Sequence, residues 1–162
     1  MSKPDSNAVM MDAALERRMI EIRRHLHRNP ELSNQERGTQ AYLKQVLEEA
    51  GLNQVRPVAG FGLALDIVGT AAPSNRKIVI RADIDALPIL ETSGVPFASE
   101  KPGVMHACGH DAHAAMGYAA AVLLDRQRQT FSGTVRLIFQ PAEEAEPLGG
   151  RRVVQQGLLD NI

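Results

Sequence analysis

The stretch MHACGHDAH, residues 105–113, lies between two short apolar runs, KIVIRA at 77–82 and TVRLIF at 134–139. Their β-branched residues predict two strands. The run rich in alanine and glycine that follows the stretch predicts a helix over about His110–Arg128. Helices that alternate with apolar strands indicate an α/β fold, in which layers of helices cover a sheet.

Further elements flank this region on both sides. Apolar residues at helical spacing predict a helix from Asp12 to His27. A second helix, capped by Ser33 or Asn34, is expected to stop at Gly51. A strand over Leu63–Val68 and a last helix over Gly150–Gln156 complete the prediction, with residues 1–11 as a flexible lead-in to one domain at 12–162.

Bulk properties exclude several classes of protein. A formal net charge of -1 on 162 residues offers no general attraction for nucleic acid. The longest small-apolar run, Ala114 to Leu124, is shorter than the roughly 20 residues that a membrane helix needs. A single cysteine cannot form an internal disulfide, which favours a reducing compartment. We therefore expect a cytoplasmic protein with no membrane or nucleic-acid partner.

Polar side chains follow the predicted strands at their carboxyl ends. Asp83 and Asp85 come after the first strand, the pair Glu143 and Glu144 after the later one, and the cysteine lies in the stretch 105–113 with three of the five histidines. Ligand sites of α/β sheets collect beyond the carboxyl ends of strands, so these clusters are expected to converge. Thiolate, imidazole and carboxylate are ligands of zinc and related divalent ions.

Each cluster also has a simpler interpretation. Cys108 and His110, separated by one glycine, could grip a metal, or Cys108 could be a buried structural residue. One residue of the Glu143–Glu144 pair could bind metal while the other moves protons, or both could be solvated. Asp83 and Asp85 could orient a ligand imidazole or be strand-end turn residues. Catalysis by a Cys108 nucleophile is a further alternative, which would leave the paired carboxylates without a role.

Two histidines lie outside these clusters. His25 and His27 fall at the end of the first predicted helix, beside several arginines. A solvated position, or one favoured by the helix dipole, is expected for both.

Four stretches together resemble the M20 metallopeptidase clan, and within it the amidohydrolase branch that includes hippurate, N-acyl-amino-acid and auxin-conjugate hydrolases. They are RRHLHRNPELSNQE (23–36), IRADIDALPILE (80–91), PGVMHACGHDAHAAM (102–116) and GTVRLIFQPAEE (133–144). They occur in the order and at the spacing of that family. The resemblance implies a three-layer, zinc-peptidase-like catalytic domain that hydrolyses the amide bond of N-acyl amino acids or related conjugates.

The resemblance also implies roles for single residues. Cys108, His110 and Glu144 match metal ligands, and Glu143 matches the general base that activates water and passes the proton to the leaving amine. Asp85 matches a carboxylate behind the ligands, with His113 close by. The implied cofactors are two divalent ions per complete site, of zinc, manganese or cobalt.

Members of this family are more than twice as long as this chain. They carry two further histidine ligands beyond the position of Glu144, and an inserted lid domain that usually forms a homodimer interface. We therefore expect the chain to be an N-terminal portion, truncated before the later strands and the lid, and weakly active or inactive alone. The alternatives are an M20-type dipeptidase or aminopeptidase, and a non-catalytic metal-binding fragment.

Overall fold

A computed structural model describes residues 11–162, so the predicted flexible segment lies outside the described residues except for Met11. Eight helices and strands follow one another within 11–162: α1 (Ala13–Arg28), α2 (Arg37–Glu49), β1 (Arg56–Val58), β2 (Gly62–Thr70), β3 (Lys77–Asp83), α3 (His110–Arg126), β4 (Ser132–Gln140) and α4 (Gly149–Gln155).

The strands form one mixed sheet in the order β1-β2-β4-β3. β2 pairs antiparallel with both β1 and β4, whereas β3 pairs parallel with β4. Parallel neighbours need a crossover connection, and α3 supplies it. The predicted α/β class is confirmed. The short strand β1 was not predicted, because three residues that include Pro57 carry too little pattern to be recognised.

Alternation along β2 and β4 divides the sheet into two faces. On β2, Leu63 and Leu65 enter the larger core and Ala64 enters the smaller one. The larger core lies against α1, α2 and α3, and the smaller core contains Val153 of α4. Helices therefore cover both faces of the sheet, which is the predicted arrangement of three layers.

Most helix boundaries follow local signals. The Asp12 carboxylate caps α1 by accepting a hydrogen bond from the backbone N–H of Leu15 at 2.8 Å. α3 ends at Arg126, two residues before the predicted boundary, and α4 begins and ends one residue earlier than predicted. No helix within residues 11–162 combines the length and apolarity needed to cross a membrane.

The predicted cap of α2 is wrong. The helix begins at Arg37 with Glu36 as its N-cap residue, and the Glu36 side chain makes no hydrogen bond to the first turn. The Glu31 carboxylate instead accepts the backbone N–H groups of Gly38 and Thr39, at 3.1 and 2.7 Å. Ser33 is free to bond elsewhere, and its partner lies in the candidate site.

α3 packs closely on the sheet at Gly117. A Cβ atom there would lie 3.0 Å from Cε1 of Phe139 and 3.1 Å from Cβ of Ala82. Both neighbours are buried in the core, so neither has room to withdraw. The glycine allows the crossover helix to approach β3 and β4.

The substitution Gly117→Val is expected to lower the free energy of unfolding by about 2 kcal/mol, because overpacking displaces α3 or the Phe139 ring. Met116→Val is the matched control, since Met116 is 55% exposed on the same helix turn. Urea unfolding of both variants measures the difference. Since valine has a higher helix propensity than glycine, a loss in Gly117→Val no larger than that in Met116→Val would contradict the importance of the close approach.

Candidate metal centre

The parallel pairing of β3 with β4 places two chain exits side by side. Asp83, the last residue of β3, pairs with Gln140, the last residue of β4. The backbone N–H of Ile84 donates to the Gln140 carbonyl at 3.1 Å, which continues this alignment past the strand ends. Residues 84–85 and 141–144 thus leave the sheet at the same edge.

The carboxylate of Asp85 links three separate segments there. Its Oδ2 accepts the hydroxyl of Ser33 at 2.6 Å and the backbone N–H groups of Glu143 and Glu144 at 2.9 and 3.0 Å. Its Oδ1 lies 3.2 Å from Nδ1 of His110. Asp85 is 1% exposed, so these protein groups replace its hydration.

These contacts decide the ionisation of Asp85. Burial by itself raises the pKa of the carboxyl, but hydrogen bonds from His110, Ser33 and the backbone of Glu144 outweigh burial and lower the pKa to about 2. Asp85 is therefore ionised at neutral pH. A fixed negative charge lies directly behind the His110 imidazole.

Cys108, His110 and Glu144 bring three donor atoms together, all within 4.8 Å of one another. Cys108 is exposed and His110 is buried. Oε1 of Glu144 is buried, lies 3.9 Å from Nε2 of His110, and has no hydrogen-bond partner among residues 11–162. A buried, unpaired carboxylate oxygen beside a thiol and an imidazole fits a divalent cation, and the donor types suit zinc.

The contacts of His110 determine which ring nitrogen is free. Nδ1 lies 3.0 Å from the backbone carbonyl of Asp85, and a carbonyl oxygen can only accept. Nδ1 therefore carries the hydrogen, and in the neutral ring Nε2 offers its lone pair toward Glu144. A metal-binding histidine is oriented in this way by a group behind it. The hydrogen bond to Asp85 raises the pKa of His110.

The surroundings of Cys108 oppose the alternative of a cysteine nucleophile. The neighbouring Glu144 carboxylate raises the pKa of the Cys108 thiol. A nucleophilic cysteine needs the opposite, a positive neighbourhood that stabilises the thiolate. The alternative of a buried structural cysteine is also wrong, because Cys108 is exposed.

The remaining predicted residues surround this cluster. The side chain of Glu143 is exposed, while its backbone is held by Asp85. His113 lies beside the donors, with its ring centroid 6.3 Å from that of His110. The Nδ1 atom of His113 accepts the backbone N–H of Asp83 at 3.1 Å. Asp83 and Asp85 are both buried, and each carboxylate lies close to a different histidine.

His27 lies in the last turn of α1, but of the two positions expected for it the solvated one is wrong. His27 is 4% exposed, and its Nδ1 and Nε2 lie 2.8 and 3.1 Å from carboxylate oxygens of Asp111 and Glu91. Arg23 also donates to Asp111 at 2.7 Å. The segment that contains Glu91 packs over the end of α1, and helical spacing alone does not reveal which segment covers a helix. His25 is exposed as expected and stacks on a tyrosine ring.

His106 and Glu36 are buried polar residues that sequence reasoning did not single out as site residues. Neither ring nitrogen of His106 has a hydrogen-bond partner within residues 11–162, and burial lowers its pKa to about 4. Glu36 is fully buried behind the Glu143–Glu144 turn. Only the proximity of His106 to Cys108 in sequence could have indicated its position; nothing local indicates that of Glu36.

Comparison with known families identifies the class of this fold and site. Residues 79–162, just over half of the chain, match the model of peptidase family M20/M25/M40. The matched segment contains most of β3, all of α3 and β4, and the three donors. The chain belongs to this family.

Individual relatives agree with this assignment. The chain is 48% identical to the N-acetyl-L-cysteine deacetylase of Bacillus subtilis over 99% of its own length and 38% of the relative's. It is 40% identical to the N-acyl-L-amino acid amidohydrolase of Geobacillus stearothermophilus over 89% of this chain and 38% of that protein.

A crystal structure extends the comparison to three dimensions. The YXEP protein of Bacillus subtilis, described as a dinuclear metal binding peptidase from M20 family, matches with a TM-score of 0.86 and 44% identity. The match covers 93% of this chain and 42% of that one. The chain thus spans about two fifths of the length of the curated relatives it matches.

The low pKa of Asp85 predicts acid sensitivity. Because its folded pKa of about 2 lies below the ordinary aspartate value of 3.8, its stabilising contribution is complete above pH 4 and is lost as pH falls through 2. The contribution is on the order of 2 kcal/mol. Between pH 5 and pH 2.5, urea unfolding should show that Asp85→Asn loses less free energy of unfolding than the unmodified chain does. Parallel pH profiles would contradict this assignment.

The buried position of His27 predicts a large effect of its removal. His27→Ala is expected to lower the free energy of unfolding by about 3 kcal/mol, since it leaves Asp111 and Glu91 buried without that partner. His25→Ala, two residues earlier on the same helix, should cost about 1 kcal/mol or less. Chemical denaturation compares the two variants, and similar losses would argue against a buried network.

Proposed function

We propose that the whole protein is a metal-dependent amidohydrolase that cleaves the amide bond of N-acyl amino acids or related conjugates. One observation carries the proposal: three metal-type donors meet at a sheet edge where an exposed carboxylate, Glu143, stands beside them. Membership of the M20/M25/M40 family supports a hydrolase. The names of the deacetylase and amidohydrolase relatives support the substrate class.

Cys108, His110 and Glu144 would hold a divalent cation, with Asp85 orienting the imidazole from behind. When bound, such an ion polarises a carbonyl oxygen and lowers the pKa of water. The thiolate favours zinc over magnesium or calcium, and manganese and cobalt are the other candidates. We propose two ions per complete site, as in the dinuclear relative.

Glu143 would act as the general base and acid. Its backbone N–H is tied to Asp85, whereas its side chain is exposed and can turn between a water molecule and the leaving amine. Glu144, one residue later, points a buried oxygen toward the other donors. Glu143 would thus move protons, while the next residue, Glu144, would bind the metal.

Three donors are fewer than a two-metal site requires. We therefore propose that the 162-residue chain by itself is weakly active or inactive, with the remaining ligands supplied elsewhere in the whole protein. A homodimer is proposed for the whole protein only. An exposed thiol that must stay reduced to bind metal favours a cytoplasmic location.

The substitution Glu143→Gln tests the proposal. It should lower kcat of the whole protein on N-acetyl and N-benzoyl amino acids by about 100-fold or more, because the general base is lost. Zinc affinity should remain within about threefold, since Glu143 is not a ligand. Glu146→Gln is the matched control, an exposed carboxylate on the same turn, and should leave both quantities unchanged.

Metal analysis after gel filtration, with and without chelator, completes this test. Turnover that survives complete removal of metal would overturn the proposal. Bound metal without turnover on any N-acyl amino acid would favour a non-catalytic metal-binding module. Preferential cleavage of dipeptides would favour the peptidase alternative.

A further inference from the structure

Three successive backbone N–H groups in the turn 142–144 are held by two buried carboxyl groups. Oε1 of Glu36 accepts the N–H of Ala142 at 2.7 Å, and Asp85 accepts those of Glu143 and Glu144. Ala142 is fully buried and has φ of 49°, a left-handed conformation that residues with side chains rarely adopt. The turn therefore needs support from outside itself.

Glu36 is an unusual residue to find at this position. Its side chain is 0% exposed, burial raises its pKa, and Oε2 has no hydrogen-bond partner among residues 11–162. It precedes α2 but makes no side-chain cap, because Glu31 accepts the N–H groups at the start of that helix. The capping of α2 thus does not account for this buried carboxyl group.

We propose that Glu36 is a positioning residue for the candidate metal centre, holding Ala142 so that Glu143 and Glu144 face the other donors. The segment 33–36 supports the turn at two points, because Ser33 also bonds Asp85. The consequence for metal binding rests on the proposed function. The positioning itself does not.

Loss of the Glu36 acceptor leaves the Ala142 N–H buried without a partner in a strained conformation. The turn can relieve both costs by moving away from the sheet edge. Such a movement carries the Glu144 carboxylate away from Cys108 and His110. Replacing Glu36 therefore weakens metal binding, although Glu36 is not itself one of the proposed metal ligands.

Four variants separate positioning from general stability. Glu36→Gln keeps an acceptor oxygen in place, and Glu36→Leu removes it at similar volume. Glu36→Asp shortens the side chain by one methylene and so moves the acceptor oxygen away from Ala142. This variant replaces Glu36→Leu in the test if Glu36→Leu does not fold. Glu31→Ala is the matched control, because it removes a carboxylate that supports the start of α2 but none of the turn.

The first measurement is amide hydrogen exchange of residues 142–144 by NMR, on metal-free 162-residue chain under conditions where every variant is folded. Exchange should accelerate at least about tenfold in Glu36→Leu, less in Glu36→Asp, and remain near the unmodified rate in Glu36→Gln and Glu31→Ala. Unchanged amide protection of residues 142–144 in both Glu36→Leu and Glu36→Asp would overturn the proposal, regardless of the zinc affinity of these variants.

The second measurement is zinc affinity, by competition with a chromophoric chelator. Glu36→Leu should bind at least about tenfold more weakly, as expected when a group behind a ligand is lost, with Glu36→Gln and Glu31→Ala unchanged. Faster exchange with unaltered zinc affinity would overturn the link to Glu144. If the unmodified whole protein binds no divalent metal, the proposed function fails, while the exchange data still decide the positioning role.

Discussion

The buried carboxylate of Asp85 is the contact on which the candidate site depends. A charge without water is tolerated in a protein only where hydrogen-bond donors surround it. Asp85 finds them on Ser33, on the His110 ring and on the backbone of the Glu143–Glu144 turn. Because these groups come from three distant segments, satisfying one carboxylate also assembles the loop before α2, the start of α3 and the turn after β4.

The topology of the sheet makes this assembly possible. β3 and β4 run parallel as neighbours, so their carboxyl ends open at the same edge, and the helix between them returns to that edge at its first residue, His110. Gly109, with φ of 84°, allows the chain to turn sharply between Cys108 and His110. The supporting groups are buried, whereas Cys108 and Glu143 remain exposed. A buried base therefore carries side chains that solvent can reach.

Much of this arrangement could be predicted from local pattern. β-branched runs and helical spacing predicted three of the four strands and the helices between them, and the strand-end rule placed Asp85, Cys108 and Glu144 near one another. The prediction failed where burial is decided by distant segments. Nothing in the spacing of α1 shows that the chain around Glu91 covers His27. Similarly, no local pattern assigns a buried role to Glu36, which lies in a polar stretch.

The sequence by itself determined the fold class, the family and the types of donor available, because periodicity, strand-end position and residue chemistry are properties of short segments. Only the tertiary structure decided which oxygen and nitrogen atoms become hydrogen-bond partners. The tautomer of His110, the ionisation of Asp85 and the burial of Glu36 all depend on groups dozens of residues away. Hydrogen bonds act over about 3 Å, and only folding brings such groups within that distance.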